Sequence, residues 1–317
     1  MSITDLLKTI QKKHWDGSAR LFKDFENVEV KRLSTWLPSL DLAMWGWIPE
    51  WRILELYWVQ SSWKSTLAIL FLAEVQRAYP DKKVWYIDVE FALDPDYAKA
   101  LWLDMDNVVF CQPNSAEEAL SIMEELCGSW EIKAVVLDSV AKLTPMKELS
   151  WEIWDAEMGM RARLMSQALR KITPKASANE CTCFFINQIR KSFDPYAFWD
   201  TRPGGNALPF DASVIIRTKT KKDKNADGSG VTTFDIIKNK VGIPFKTTDI
   251  AIKFGKWFDY LQDLITCAIA TWTITRAGAF YSFWEKKWQG EEKMRIEITE
   301  DKKLQKDIWI ALKKLSK

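Results

Sequence analysis

Residues 52–66 constrain this chain more than any others. An apolar segment, RILELY, runs into WVQSSWKST and then directly into the apolar pattern of a helix starting at Lys64. A strand, a loop closing on Lys-Ser-Thr and a helix are the layout of a phosphate-binding loop. Its pattern, G-x-x-x-x-G-K-[ST], curls the backbone so that N–H groups face an anion. Lys64, Ser65 and Thr66 are in place to serve phosphates and Mg²⁺, but Trp58 and Trp63 stand where the pattern has glycine, around Val59, Gln60, Ser61 and Ser62. A tryptophan held in the left-handed conformation costs roughly 1–2 kcal/mol, and its indole competes with the anion for space. Either the loop as written is inert, or these tryptophans are not what the gene specifies.

Composition favours the second alternative. Eighteen Trp against 12 Gly in 317 residues inverts ordinary usage, in which glycine alone makes up about 7% of a chain. Several tryptophans also occupy turn settings: Trp45-Gly46-Trp47-Ile48-Pro49-Glu50-Trp51, Trp15 before Asp16-Gly17, Trp154 before Asp155 and Trp199 before Asp200. An indole belongs on a packed face rather than at a loop corner. The sequence therefore predicts that most of these positions are UGA codons, written as Trp and decoded as Gly in the source organism. The alternative is a tryptophan-rich core.

The 47% hydrophobic content of 317 residues suffices for one large core and a smaller appendage. With 45 basic and 43 acidic side chains the net charge is +2, so any polyanion site must be local. The five cysteines have no CxxC or zinc spacing, and Cys181-Thr-Cys183 before an apolar run reads as buried free thiols in a reducing compartment. The lone histidine, His14, excludes histidine-based triads and zinc sites. The N-terminal MSITDLLKTIQKKH lacks an apolar signal core, and no run approaches spanning length, so a cytoplasmic protein without membrane contact is expected.

Residues 3–14 read as an amphipathic helix with Leu6, Leu7 and Ile10 on one face, seeking a partner on its own domain or a neighbouring subunit. From Arg52, strand and helix alternate through KVWYID, NVVF and AVVLD, predicting an α/β fold with a mainly parallel sheet and ligands at the carboxyl ends of its strands. Segments 212–218, 232–238 and 248–254 read as further strands, and beyond Tyr260 the chain reads as a helical, lysine-rich lobe. The expected division is 1–33, 34–259 and 260–317.

Two carboxylates fit nucleotide chemistry. Asp138 ends the apolar run of AVVLDSV and would reach the Mg²⁺ shell of a nucleotide held by the loop at 58–66. Glu90 ends YIDVE, where it could polarise an attacking water; its plain alternative is a solvated acid at a strand end.

At these residues the chain resembles the bacterial RecA recombinases over nearly its whole length. The strings are LSTWLPSLDLAMW, WRILELYWVQSSWKSTL, YIDVEFALDPDYAKALW, CQPNSAEEAL, VVLDSVAKLTP, MGMRARLMSQALRKI, FFINQIR, PGGNALPFDAS, KNKVGIPF and AGAFYS. In that family's pattern the positions of Trp15, Trp36, Trp45, Trp47, Trp51, Trp58, Trp63, Trp102, Trp130, Trp151, Trp154, Trp199, Trp257, Trp284 and Trp288 are typically glycine. Trp85, Trp272 and Trp309 align less clearly.

The resemblance implies a RecA-type P-loop ATPase core with an N-terminal helix and a small α/β C-terminal domain. It implies ATP and Mg²⁺ as cofactors, single- and double-stranded DNA as partners, a homo-oligomeric helical filament, homologous pairing and strand exchange, and SOS coprotease activity on a LexA-like repressor. Lys64 and Ser65 would hold phosphates and metal, with Thr66 beside them. Glu90 would be the water-activating base, Asp138 the metal-shell carboxylate with Ser139 its neighbour, and Gln188 the γ-phosphate sensor. Asp94 and Tyr97 fall where the family contacts adenine, and Lys238 and Lys240 where it reaches ATP on the adjacent protomer. From the residues alone, those two lysines would be a solvated strand end.

Two loops are expected to touch DNA. The first spans 150–159, with Met158 at its end and Arg163 and Arg170 on the next helix. The second spans 189–204, where Arg190, Lys191 and Arg202 neutralise phosphates, Phe193, Tyr196 and Phe198 offer wedges between bases, and Gly204 and Gly205 close the loop. The chain ends in IALKKLSK rather than the family's acidic tail, from which looser restraint of duplex access is expected. Two rivals are another RecA-fold ATPase such as a hexameric helicase, against which KNK and PGGNAL argue, and a DNA-binding filament protein without ATP turnover, which follows if the tryptophans are real.

Overall fold

The computed structural model describes residues 2–14, 19, 21, 30–46, 48–58, 63–149, 159–189, 202–222, 230–252 and 258–315. Contacts divide the chain into two compact units, Met1–Lys31 and Arg32–Lys317. In the first, α1 (Ile3–Lys13) starts on a capping box: the Asp5 N–H donates to the Ser2 hydroxyl, and the Asp5 carboxylate accepts the Ser2 N–H. Lys12 and Lys13 in the last turn oppose the negative end of the helix dipole. The helix buries none of its residues.

The second unit opens with β1 (Arg32–Leu33), α2 (Pro38–Ala43) and β2 (Ile48–Pro49), the two strands pairing antiparallel. The predicted alternation follows: β3 (Ile53–Trp58), α3 (Lys64–Ala78), β4 (Lys83–Asp88), α4 (Pro95–Ala100), β5 (Val108–Cys111), α5 (Ala116–Leu126) and β6 (Ile132–Asp138). Next come α6 (Met146–Leu149), α7 (Met160–Ala178), β7 (Thr182–Gln188), α8 (Ala207–Asp211), β8 (Val214–Lys222), β9 (Gly230–Asn239) and β10 (Thr247–Ile252). The sheet order is β10-β9-β8-β3-β7-β6-β4-β5; from β8 to β5 every pairing is parallel, and β9 and β10 run antiparallel.

Parallel strands covered on both faces read as continuous apolar runs, and every residue of β6 is buried. Leu67, Leu70 and Phe71 of α3 seal one face, where Phe71 stacks on Phe184 of β7 at 5.6 Å. Met123 of α5 and Leu169 and Ile172 of α7 seal the other against Val135 and Phe185. Burying side chains of this size stabilises the fold by about 1.5–3 kcal/mol each.

The C-terminal segment departs from its helical reading. Between α9 (Tyr260–Ala270) and the pair α10 (Glu291–Glu300) and α11 (Lys302–Leu315) lies an antiparallel sheet of β11 (Thr275–Ala277), β12 (Phe280–Phe283) and β13 (Lys286–Gln289). Strands of three or four residues are too short to display a period-two pattern. A separate core of Leu264, Tyr281, Trp288, Ile298 and Ile308 holds them.

Where α2 meets α9 two carboxyls are buried. Asp41 accepts from the Thr35 N–H and from the hydroxyls of Ser34 and Thr35, while Asp263 accepts from the Ser39 N–H and hydroxyl. Burial, only partly offset by those donors, pushes Asp41 up to about 7 and Asp263 up to about 6. The folded chain therefore holds these protons more tightly than the unfolded one. Their stabilisation is complete below the ordinary carboxylate pKa near 3.8 and is lost as pH rises through about 6 to 7. Thermal melts between pH 4 and 8 should show this decline, at most about 1.4 kcal/mol per pH unit for each group. Asp41→Asn should flatten it; an unchanged slope in that variant would show that Asp41 is ionised when folded.

Ten non-glycine residues among those described have positive φ, between 52° and 66°, and seven are tryptophans: Trp36, Trp45, Trp51, Trp63, Trp102, Trp272 and Trp284. An L-residue with a large side chain rarely adopts this conformation, which glycine takes freely. Trp45, Trp102, Trp272 and Trp284 are also exposed, the last two above 70%. Trp272, ambiguous by sequence, behaves like the others, whereas Trp85, Trp288 and Trp309 lie inside β4, β13 and α11.

The cysteines are closer than their spacing suggested. Cys127, at the end of α5, and Cys181 and Cys183, beside and within β7, are buried with their sulphurs all within 4.8 Å of one another, the 127–183 pair at 3.3 Å. Residues i and i+2 of a strand share a face, which is why Cys181 and Cys183 converge on the same helix end.

Candidate nucleotide site and nucleic-acid interface

The carboxyl edge of the parallel strands gathers the predicted chemistry. β3 ends at Trp58, and α3 begins at Lys64 after its N-cap Trp63, which sits at φ 61°, ψ 23° with no side-chain cap. The start of a helix directs amide N–H groups and the positive end of its dipole outward, a setting that favours an anion. Val59, Gln60, Ser61 and Ser62 lie outside the described residues.

Lys64 is only 6% exposed, and burial pushes its ammonium down to about 8 against the opposing pull of Asp138 and Glu90. The Ser65 hydroxyl donates to Asp138 Oδ2 at 2.6 Å, and the Tyr86 hydroxyl donates to the same oxygen at 2.7 Å. Burial pushes Asp138 up to about 6, reinforced by Glu90 and Asp88 and resisted by those two donors. Adjacent hydroxyl and carboxylate oxygens inside a cluster of acids that repel one another are a donor set suited to Mg²⁺, which would relieve the repulsion.

Glu90 Oε1 accepts the Ser139 hydroxyl at 2.6 Å and also the side-chain amide of Gln188. One carboxylate thereby joins the ends of β4, β6 and β7. Asp88, which the sequence reading passed over, fixes it there: its carboxylate accepts the backbone N–H groups of Glu90, Ala92 and Leu93 and the Gln112 amide. An acid followed by a turn of this kind is an Asx-type signal. Tyr86 was missed as well; nothing in an apolar strand marks which tyrosine meets an acid on the strand that pairs beside it.

Thr66 Oγ1 and the Tyr97 hydroxyl share a hydrogen bond of 2.7 Å, which ties α4 to the first turn of α3. Asp94 caps α4 by accepting from the N–H groups of Asp96 and Tyr97. Lys238 and Lys240 stand elsewhere. β9 runs antiparallel to β8, so its end reaches the amino edge of the parallel strands, opposite the loop, with Lys238 level with Ile215. Both ammonium groups converge on the end of α8: Lys238 donates to the carbonyls of Pro209 and Phe210, and Lys240 to those of Phe210 and Asp211. Burial, with Lys240 beside it, holds Lys238 below the usual lysine range.

Of the residues assigned to DNA, Met158, Arg190, Lys191 and Phe198 lie outside the described residues, as do Phe193 and Tyr196. Arg163 and Arg170 are exposed on α7, and Arg170 also donates to Ser166 Oγ. Arg202 Nη1 donates to the buried Glu55 at 2.7 Å, and its guanidinium lies 4.5 Å over the Tyr57 ring. Gly204 and Gly205 have φ of +90° and +69°, and a Cβ would come within 2.9 Å of Val140 in the first and 2.7 Å of Ala162 in the second. Glycine there lets the chain seat against α7.

The RecA N-terminal domain family matches residues 1–259. Among curated proteins, Protein RecA of Trichodesmium erythraeum is 38% identical over 316 residues, 97% of this chain and 87% of that protein. Protein RecA of Deinococcus radiodurans is 39% identical over 317 residues, with 97% and 86% covered, and that of Nostoc punctiforme 40% over 286 residues, with 89% and 79% covered. Among the described residues no helix is long and apolar enough to cross a membrane.

Proposed function

This chain belongs to the bacterial RecA family, and from that premise we propose that it is an ATP-dependent recombinase of DNA repair. It assembles on single-stranded DNA as a filament, promotes homologous pairing and strand exchange, and works in the cytoplasm. The observation that carries the reading is Glu90, which accepts from both Ser139 and Gln188 beside Lys64 and the Ser65–Asp138 pair. Bound ATP would supply the phosphoanhydride, and Mg²⁺, which Ser65 and Asp138 would hold, would supply charge neutralisation. Lys64 places a buried positive charge at the phosphates, and desolvation makes that charge count for more than it would in water. Glu90 orients water and takes its proton, while Gln188 reports the state of the site to the segment after β7. Asp94 and Tyr97 would border the adenine. The loop works with glycine at 58 and 63, and the left-handed backbone at Trp63 supports that reading. If tryptophan is genuine there, the protein is a DNA-binding filament without turnover. Coprotease action on a LexA-like repressor is part of the proposal and follows from family membership alone.

Lys238 and Lys240 test the filament part of this reading. Their place at the amino edge favours ATP bound by a neighbouring copy. Replacing both with Ala should spare weak ATP binding by the monomer and remove the ATP-dependent gain in single-stranded DNA affinity. If they merely neutralise DNA phosphates, affinity falls equally with and without a nonhydrolysable ATP analogue and its salt dependence becomes shallower. An unchanged ratio of the two affinities would remove the trans role.

A further inference from the structure

Residues 190–201 lie outside the described residues; on either side of them, Gln188 and Arg202–Pro203 are held by two buried side chains that no nucleotide-site role uses. Asn187 is fully buried, one residue before Gln188. Its Nδ2 donates to Glu55 Oε1 and to the Pro203 carbonyl, both at 3.1 Å, and its Oδ1 accepts the Gln188 N–H at 2.9 Å. Glu55, 1% exposed in the middle of β3, spends its other oxygen on Arg202. Tyr57, two residues along the same face of β3, lies under the Arg202 guanidinium. The strand that ends at Trp58, the strand that ends in Gln188 and the chain at Arg202–Pro203 thus meet at one point.

We propose that Glu55, Asn187 and Arg202 form a clamp that fixes the chain at Gln188 and at Arg202–Pro203 to the nucleotide site, so that Arg202 is a positioning residue and not a phosphate contact. The inference rests on the recombinase reading and deepens it. Physical grounds separate the two roles of Arg202. A phosphate contact needs a guanidinium free to follow the DNA, whereas this one stacks on a ring and neutralises a carboxylate with no exposed side-chain surface. Pulling it away would leave Glu55 buried and uncompensated, the costly way to break such a pair. Burial already pushes Glu55 above the usual carboxylate range, and Arg202 is the strongest influence opposing that shift, followed by Asn187. Gln188 accordingly cannot shift far without disturbing the clamp, since Asn187 holds its N–H.

The test uses the full chain and oligo(dT), with affinity measured across salt, with and without a nonhydrolysable ATP analogue. The clamp predicts that Arg202→Leu keeps the salt slope of the parent but loses the nucleotide-dependent gain in affinity by roughly tenfold. Glu55→Gln, which keeps the bond from Asn187, should produce the same loss, and the double variant should be no worse than the poorer single one. A phosphate contact predicts otherwise: Arg202→Leu shrinks the slope by about 0.7, the share of one single-strand phosphate, and Glu55→Gln, which removes a negative charge, tightens DNA binding. That pattern, or a Glu55→Gln variant with an unaltered nucleotide-dependent ratio, would overturn the clamp. Arg202→Lys gives a second arm should the leucine variant fail to fold. It preserves charge without the planar fork, so the clamp predicts loss and a phosphate contact predicts retention. A parent protein with no nucleotide-dependent gain would count against the recombinase reading, while the salt slopes would still decide the role of Arg202.

Discussion

Peptides of this protein recovered from its native organism should carry glycine at 58 and 63, both encoded by UGA, and the glycine form should bind ATP where the tryptophan form does not. The argument joins three independent observations. Tryptophan outnumbers glycine, 18 to 12. It occupies both glycine positions of a loop whose Lys-Ser-Thr end is intact. Seven of the ten left-handed non-glycine residues are tryptophans, Trp63 among them. Each left-handed tryptophan costs roughly 1–2 kcal/mol, a cost that glycine avoids. At the loop the larger loss is functional. Two charge-assisted N–H contacts to phosphate, blocked by indole bulk, amount to about 3 kcal/mol, or roughly a hundredfold in affinity. Tandem mass spectrometry of native peptides and titration of a fluorescent ATP analogue against both forms are the measurements. UGG codons at 58 and 63, or equal ATP affinity of a verified double-tryptophan protein, would sink the idea.

In the glycine form, Glu90→Gln should bind ATP and assemble on single-stranded DNA while losing about 10²–10⁴ in hydrolysis rate, the usual contribution of a positioned base. Glutamine has nearly the same shape and can still accept from Ser139 and Gln188 through its amide oxygen, so the joint between the three strand ends persists while the proton acceptor is gone. Lys64→Ala should instead fail at binding, because it deletes a buried charge beside Asp138 and Glu90. Steady-state ATPase with and without DNA, alongside nucleotide titration, separates the two. If the Glu90 variant turns over at the parental rate, the water is activated elsewhere; if Lys64→Ala binds ATP normally, the phosphates do not lie at the start of α3.

The sequence by itself determined the parallel α/β core, because buried strands such as AVVLD write their environment as unbroken apolar runs. It also put Lys64, Ser65, Glu90, Asp138 and Gln188 on one edge, because each lies at or shortly after the carboxyl end of a predicted strand, and carboxyl ends of parallel strands share an edge. What it left open depended on partners distant in the chain. Tyr86 and Asn187 acquire roles only through hydrogen bonds to segments far away in the chain, and no local pattern encodes which strand becomes a neighbour. The short strands of the C-terminal lobe carried too few residues to show a period. The charge of Arg202 is legible in the sequence, whereas its partner Glu55, 147 positions away, is set only by the fold. Three cysteines without a ligand spacing became neighbours only when β7 was laid beside the end of α5. Even the conformation of Trp63 belonged to the fold: composition marked tryptophan as misplaced, but a backbone turning left-handed between β3 and α3 is what requires glycine there.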